Sequence, residues 1–130
     1  MRAIAPEWMR GCRLRPCWFE PSFQKHAGRL CGGLQIHVED TAYDHGAFRP
    51  WRLVALALKA VRRLDPDYPL WRDFPYEYET GRLAIDVISG GEGLREWVDD
   101  RAATAADLEA LAAPDEASWR EESEAVLLYR

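Results

Sequence analysis

The segment LQIHVE, residues 34–39, places three polar side chains on one side of a predicted strand. Gln35, His37 and Glu39 alternate with three apolar residues, and strict alternation is typical of a half-buried β-strand. An amide, an imidazole and a carboxylate in one row suit a sugar or an amide ligand, because they offer donors, acceptors and one proton carrier. An ordinary solvent-facing strand has the same pattern, and the pattern by itself favours that interpretation.

Two glycines, Gly32 and Gly33, come directly before this segment. Glycine has no Cβ, so a ligand or a second backbone segment can approach it closely. The glycines shift the balance a little towards a ligand-binding face, for which Gly32, Gly33, Gln35, His37 and Glu39 are the candidate residues.

The elements that position these residues are predicted as follows. RLRPCWF, residues 13–19, is a candidate strand, and Pro16 places it at a sheet edge. The segment 20–30 is loop-like and 41–50 is rich in turn residues. Pro50 begins a helix that runs to residue 64, where two prolines end it, and its apolar residues include Trp51 and Val54. Trp51 and Trp97 are expected in the core.

The remainder of the chain is predicted to be mainly helical. Residues 71–91 suggest an extended segment and then a short buried piece; if YEYE is extended, Glu77 and Glu79 share one face. Leu94, Trp97 and Val98 have helical spacing. Thr104 with Asp107 resembles a capping box that opens a helix over 105–113, and Pro114 opens a last helix. The fold class is α+β: a small, mostly antiparallel sheet in the N-terminal part, packed by a long core helix and followed by three C-terminal helices.

Charge and length exclude several classes of function. The 130 residues suit one domain, and a formal net charge of −5 with pI about 5.2 argues against nucleic acid as a partner. No apolar run predicts a membrane span, and no signal peptide is evident, so the chain as written is expected in the cytoplasm. A stripe of basic residues at helical spacing is expected to form a solvated helix face: Arg49, Arg52, Lys59, Arg62 and Arg63.

Metal and carboxylate chemistry are open but weak alternatives. Cysteines and histidines sufficient for a zinc site are present at Cys12, Cys17, His26, Cys31 and His37, but their spacing matches no compact knuckle, so no metal or other cofactor is expected. Acidic residues could in principle supply a glycosidase pair, but spacing cannot choose among Glu20, Glu39, Asp40, Asp44, Asp73, Glu77, Glu79 and Asp86.

Longer segments of the chain resemble a known family. The similarity is carried by residues 13–40, 47–90 and the final LLYR, and most specifically by the motifs at 19–25, 31–38 and 48–50, then Y-E-Y and the I-D at Asp86. These segments resemble the C-terminal domain of the peptidoglycan exo-β-N-acetylmuramidases called NamZ. The resemblance divides the chain into an N-terminal extension, 1–10, and the family domain, 11–130.

The resemblance implies a bacterial glycoside hydrolase of cell wall recycling that releases N-acetylmuramic acid from the non-reducing ends of peptidoglycan fragments such as muropeptides. Family members can be exported. In the family a Rossmann-like N-terminal domain carries the catalytic glutamate, and the cleft lies between the two domains. That domain is not among these residues, so no catalytic residue is expected here, and the chain is expected to be inactive unless a separately encoded N-terminal domain joins it.

On this interpretation Gln35, His37 and Glu39 bind hydroxyl, acetamido or lactyl oxygens, while Lys25 and Arg49 pair with the lactyl carboxylate. A non-catalytic carbohydrate-binding or interaction module derived from the enzyme is the alternative. Because the domain normally has a neighbour, an exposed apolar patch is also expected, around Trp8, Trp18 and Phe23.

Overall fold

A computed structural model describes residues 1–39 and 41–129. The chain divides into two compact units, one of residues 2–54 and one that runs from Ala55 to the end of the described chain and includes Met1. The elements, in chain order, are a short 3-10 helix at Pro6–Met9, strands β1 (Arg13–Phe19) and β2 (Cys31–His37), and helices α1 (Pro50–Leu64), α2 (Ala84–Ile88), α3 (Gly93–Asp99) and α4 (Ala105–Glu124). The α+β prediction is confirmed. No helix of the described residues combines the length and apolarity that crossing a membrane requires.

The first unit contains a two-stranded antiparallel sheet. β1 has the bounds predicted from the sequence, and it pairs with β2 from Arg13 opposite His37 to Phe19 opposite Cys31. The predicted strand over 34–39 is therefore displaced: β2 begins earlier and ends at His37. Gly11 adopts a left-handed conformation, with φ of 74°, just before β1, so no paired strand continues opposite Val38 and Glu39.

A tight turn at residues 44–47 precedes α1. The backbone N–H groups of Gly46 and Ala47 donate to Oδ1 of Asp44 at 2.9 and 3.2 Å, an Asx-type turn. The backbone N–H of Asp44 donates to the carbonyl of Gly11 at 3.1 Å. A Cβ on Gly11 would lie 2.5 Å from the nitrogen of Phe48, so glycine is required both by conformation and by the close approach of this turn.

Helix α1 has the predicted bounds but a different buried face. Leu53, Leu56 and Lys59 are buried, whereas Trp51 and Val54 are 39% and 51% exposed. The prediction that Trp51 is a core residue is wrong, and so is the prediction that Lys59 belongs to a solvated face. The physical reason for the second error lies in the partners of Lys59.

The ammonium group of Lys59 is held by backbone oxygens. Its Nζ donates to the carbonyls of Trp97 at 2.6 Å and Asp100 at 2.9 Å, at the C-terminal end of α3. Helix ends leave carbonyls without intrahelical partners, so a buried cation satisfies them and is itself satisfied. Burial is the main cause that lowers the pKa of Lys59, and the charge of Arg63 lowers it further, whereas Asp100, Asp107 and Asp99 oppose the shift.

Three helices follow α1, as predicted, but with other bounds. The apolar run near residue 85 forms α2, and the two predicted final helices are one helix, α4, with Pro114 inside it. Because a proline lacks an N–H, it removes one hydrogen bond of a continuous helix. The predicted capping box is present: the backbone N–H of Thr104 donates to Oδ2 of Asp107 at 2.7 Å. Trp97 is buried as predicted, and its Nε1 donates to the Thr104 carbonyl at 2.6 Å.

Candidate functional site

The register of the hairpin decides which residues share a face. Directly opposed residues of an antiparallel pair project to the same side, so Arg13 lies beside His37, Arg15 beside Gln35 and Cys17 beside Gly33. The other side carries Leu14, Pro16, Trp18, Gly32, Leu34 and Ile36. The structure therefore brings Gly33, Gln35 and His37 together on one face, and places Gly32 on the other.

Gln35 is held in place by a residue that the sequence interpretation did not single out. Arg15 donates from Nη2 to Oε1 of Gln35. Both side chains are exposed, and His37 is half-buried. The bond uses the amide oxygen of Gln35, so the NH2 group of this residue is presented as a donor. The face therefore combines a guanidinium, an amide donor and an imidazole.

Arg13 and Arg15 are the residues of this face that the sequence interpretation missed. The signal that could have found them is the alternation of arginines in RLRP, residues 13–16. Alternation places both arginines on one face of β1, but only the register shows that this is the face of Gln35 and His37.

The two glycines lie beneath aromatic rings. A Cβ on Gly32 would lie 3.1 Å from the indole of Trp18, and one on Gly33 would lie 3.0 Å from the ring of Phe19. Aromatic residues commonly cover glycines of a neighbouring strand in this way. The ring of Phe19 is 50% exposed and lies on the same face as Gln35, which makes it an exposed ring beside hydrogen-bonding groups.

The other predicted site residues lie outside the strands. Lys25 is exposed in the turn-rich segment that joins β1 to β2, and Glu39 is exposed beyond the end of β2. Arg49 is exposed and donates from Nη1 to the carbonyls of Gly46 at 2.8 Å and Phe48 at 3.2 Å. These bonds fix Arg49 against the turn that precedes α1.

The same turn carries a tyrosine–histidine pair. The hydroxyl of Tyr43 lies 2.9 Å from Nδ1 of His45, and the rings of Tyr43 and Phe48 meet edge to face with centroids 6.0 Å apart. Tyr43 therefore contacts two side chains of the segment 43–48.

Several carboxylates considered for acid–base work have structural partners. Asp86 is 2% exposed and accepts from Nε of Arg95 at 2.8 Å (Oδ1) and 3.1 Å (Oδ2). Glu79 accepts from the N–H of Gly81 at 2.8 Å, and this bond is the main cause that lowers its pKa. Glu77 and Glu79 do not lie on an extended segment as proposed, because Tyr76 and Glu79 close a tight turn and Glu77 has a φ of 55°. Asp40 lies outside the described residues.

Within residues 1–39 and 41–129, no cluster of three or more histidine, cysteine, aspartate or glutamate side chains could hold a metal ion. The three cysteines are free thiols.

The expected apolar patch differs in one member: Trp8 is 4% exposed, whereas Trp18 and Phe23 are 75% and 71% exposed. Trp8 therefore belongs to the buried residues and not to a surface patch.

The hairpin face of this small α+β fold thus combines an exposed aromatic ring with guanidinium, amide and imidazole groups. A family model described as "Exo-beta-N-acetylmuramidase NamZ, C-terminal" matches residues 1–129. The chain belongs to this family, and it is a domain of a muramidase-type glycoside hydrolase. The family implies a peptidoglycan substrate that contains muramic acid and a catalytic N-terminal domain. Comparison with curated proteins and with solved structures gave no match.

Proposed function

We propose that this domain forms the substrate-lining wall of a muramidase that releases N-acetylmuramic acid from the non-reducing ends of peptidoglycan fragments. The observation that carries the proposal is the hairpin face on which Arg15, Gln35, His37 and the Phe19 ring lie together. An exposed aromatic ring offers an apolar stacking surface to a sugar, and the neighbouring polar groups offer directed hydrogen bonds.

Each residue has a proposed role. The Phe19 ring stacks on the apolar side of the sugar, and Gly33 allows that ring to lie flat against the strand. Gln35 donates to a hydroxyl or acetamido oxygen, and His37 binds a neighbouring oxygen. Arg15 pairs with the lactyl carboxylate, which is the group that distinguishes muramic acid from glucosamine.

Three further residues keep the roles expected from the sequence. Lys25 and Arg49 are proposed as additional partners of the carboxylate, and Glu39 as an acceptor at the end of β2. Gly32 lies beneath Trp18 on the opposite face, so its proposed role is to seat that indole and not to contact the saccharide.

Catalysis is proposed to require the family's N-terminal domain. The support is that two of the considered carboxylates, Asp86 and Glu79, are committed to Arg95 and to the backbone of a turn. A general acid must hold its proton until the leaving group needs it, whereas the backbone bond from Gly81 lowers the pKa of Glu79.

The test is a turnover assay with a chromogenic N-acetylmuramic acid glycoside. The 130-residue chain alone is expected to give no turnover, and a mixture with a family N-terminal domain is expected to hydrolyse the substrate. In that mixture His37→Ala should lower kcat/KM at least tenfold. This corresponds to a loss of about 1.4 kcal/mol of transition-state stabilisation. The matched control is His26→Asn, which changes an exposed histidine with positive φ outside the strands. An unchanged rate for His37→Ala would remove this residue from the site.

The second candidate function is a non-catalytic interaction module. It is favoured by the apolar face of the hairpin, where Trp18, Leu34 and Ile36 are 75%, 45% and 41% exposed. Saccharide binding without turnover, both alone and in the mixture, would support this function and exclude the first.

A further inference from the structure

We propose that the C-terminal end of α1 and the connection from α3 to α4 form a binding pocket for the carboxylate end of a short peptide. A cavity of about 340 Å³ lies there, lined by Arg62, Arg63, Pro66, Val98, Asp100 and Arg101. Its volume falls at the small end of ligand cavities, which range over roughly 300–1,000 Å³.

Two guanidinium groups are available in this pocket. The side chains of Arg63 and Arg101 are exposed, and neither guanidinium forms a hydrogen bond or an ion pair with any residue in the described part of the chain. A guanidinium presents two parallel N–H donors that match the two oxygens of a carboxylate. Two such groups beside one cavity therefore favour an anionic ligand.

Arg63 contributes a positive charge beside the cavity. The charge of Arg63 contributes to the lowered pKa of Lys59, after the larger contribution of burial. Arg63 thus adds positive potential on the side of α1 that carries the cavity. Asp99 pairs with Arg62 at 2.8 Å, so Asp100 is the carboxylate that shares the cavity with the two guanidinium groups. The charges of Asp100, Asp107 and Asp99 oppose that of Arg63 at Lys59.

Arg62 builds the wall of the pocket rather than offering a binding group. Its Nε donates to Asp99, and its Nη1 donates to the carbonyls of Pro66 at 2.8 Å and Tyr68 at 2.9 Å. The second oxygen of Asp99 accepts from Nε1 of Trp71 at 2.7 Å. One arginine therefore ties the loop after α1 to the end of α3, so the cavity is formed before a ligand arrives.

The remaining lining residues distinguish a peptide from inorganic phosphate. Pro66 and Val98 provide apolar contact for an aliphatic side chain, which a phosphate ion lacks. Asp100 places a carboxylate in the same cavity, and it accepts from the N–H of Ala102 at 2.8 Å. A carboxylate repels a doubly charged phosphate more than a singly charged carboxylate, and it can accept from a peptide N–H.

The chemistry fits two sources of ligand, a free peptide and a peptide carried on the lactyl group of muramic acid. This inference goes beyond the proposed function. The pocket residues take no part in the proposed saccharide contacts, so the peptide pocket can be wrong while the saccharide site is right. A peptide probe that carries no sugar tests the pocket alone.

The test is a titration of the full chain, followed by NMR chemical shifts, with N-acetyl-alanyl-alanine as the probe. We expect saturable shifts near Val98 and Ala102, and at least a tenfold rise in Kd for Arg63→Ala and for Arg101→Ala. The control variant is Arg120→Ala, an exposed arginine of α4 outside the cavity, which should bind as the unmodified chain does. The C-terminal amide of the probe should bind at least tenfold more weakly, because it lacks the carboxylate.

Several results would overturn the assignment. These are an absence of saturable shifts at millimolar peptide, equal binding of the amide and the acid, retained affinity in both arginine variants, or displacement of the peptide by lower concentrations of inorganic phosphate. The Kd of the free peptide is then compared with the Kd of the same peptide attached to N-acetylmuramic acid. The form with the lower Kd is assigned as the ligand.

Discussion

Lys59 donates a hydrogen bond of 2.6 Å to the backbone carbonyl of Trp97 and holds its ammonium nitrogen 4.2 Å from the centroid of the Trp97 ring. The side chain of Lys59 has no exposed surface. One lysine therefore donates to backbone carbonyls at the end of α3 and makes a cation–π contact with the buried Trp97 ring of that helix.

Removal of this ammonium group should destabilise the fold. Lys59→Met keeps the length of the side chain but leaves the carbonyls of Trp97 and Asp100 without their donor, so we expect the free energy of unfolding to fall by about 2–4 kcal/mol. The measurement is chemical denaturation followed by far-UV circular dichroism. Lys25→Met, at an exposed position, is the control and should cost less than about 0.5 kcal/mol. Equal stability of the Lys59→Met variant and the unmodified chain would contradict this role.

The ion pair between Asp86 and Arg95 should also be needed for stability. Arg95→Met leaves the carboxylate of Asp86 buried without its cation, and loss of one partner of a buried pair costs about 3–5 kcal/mol, toward the lower figure here because Arg95 keeps some exposure. Replacement of both residues, Asp86→Leu with Arg95→Met, should recover part of this loss, as thermal unfolding would show. Arg82→Met is the control, since its pair with Glu79 is solvent-exposed. A double variant less stable than the single one would refute the argument.

Gly11 and Gly28 form a matched test of backbone geometry. Both have positive φ, at 74° and 70°, but a Cβ on Gly28 meets no atom within 4 Å, whereas one on Gly11 meets the backbone of Phe48 at 2.5 Å. Gly28→Ala should cost about 1 kcal/mol, for the left-handed conformation alone, and Gly11→Ala should cost clearly more. Equilibrium denaturation of the two variants measures the difference. Equal losses would show that the turn at 44–48 moves away without cost.

The capping box of α4 should make stability depend on acid. The backbone bond from Thr104 is the main cause that lowers the pKa of Asp107 below its ordinary value of 3.8. A carboxyl with a lowered folded-state pKa stabilises the fold above its unfolded pKa, and this contribution is lost as the pH falls through the folded value. The difference in Tm between the unmodified chain and Asp107→Asn should therefore be largest at neutral pH and shrink below pH 3.8. A difference that stays constant across that range would exclude the linkage.

Arg15 should control the choice of sugar. In an active mixture with the family's N-terminal domain, Arg15→Met should lower kcat/KM for an N-acetylmuramic acid glycoside about tenfold or more, because a charge-assisted contact to the lactyl carboxylate is lost. The rate for the matching N-acetylglucosamine glycoside should hardly change. Arg29→Met, which changes an exposed arginine of the turn-rich segment, is the control. An equal loss for both sugars would mean that Arg15 acts only by holding Gln35.

Local signals predicted the elements well where one short-range interaction decides them. Pro50 and the prolines after residue 64 set the bounds of α1, and the Thr104–Asp107 pair set the start of α4. Pro114 misled because proline is also typical of a first turn, and only the continuous backbone on both sides shows that it lies inside a helix. The start of β2 was missed because the pairing partner, and not the alternation of LQIHVE, determines where a strand begins.

The candidate site could be predicted only where local alternation was enough. Alternation places Gln35 and His37 on one face, but the arginines that join them come from another strand and need a register. Lys59 could not be assigned from its type, because lysine is among the residues least often fully buried. Its burial depends on carbonyls at the end of α3, which lie 38 residues or more further along the chain.

The tight turn closed by Tyr76 and Glu79 offers a practical entry point into the molecule. Backbone bonds between these two residues, at 3.2 and 3.0 Å, close the turn, and Tyr78 at its tip is fully exposed. A fluorophore or an affinity tag attached at Tyr78 would project into solvent and leave those closing bonds intact, so this position suits labelled forms of the protein for binding studies.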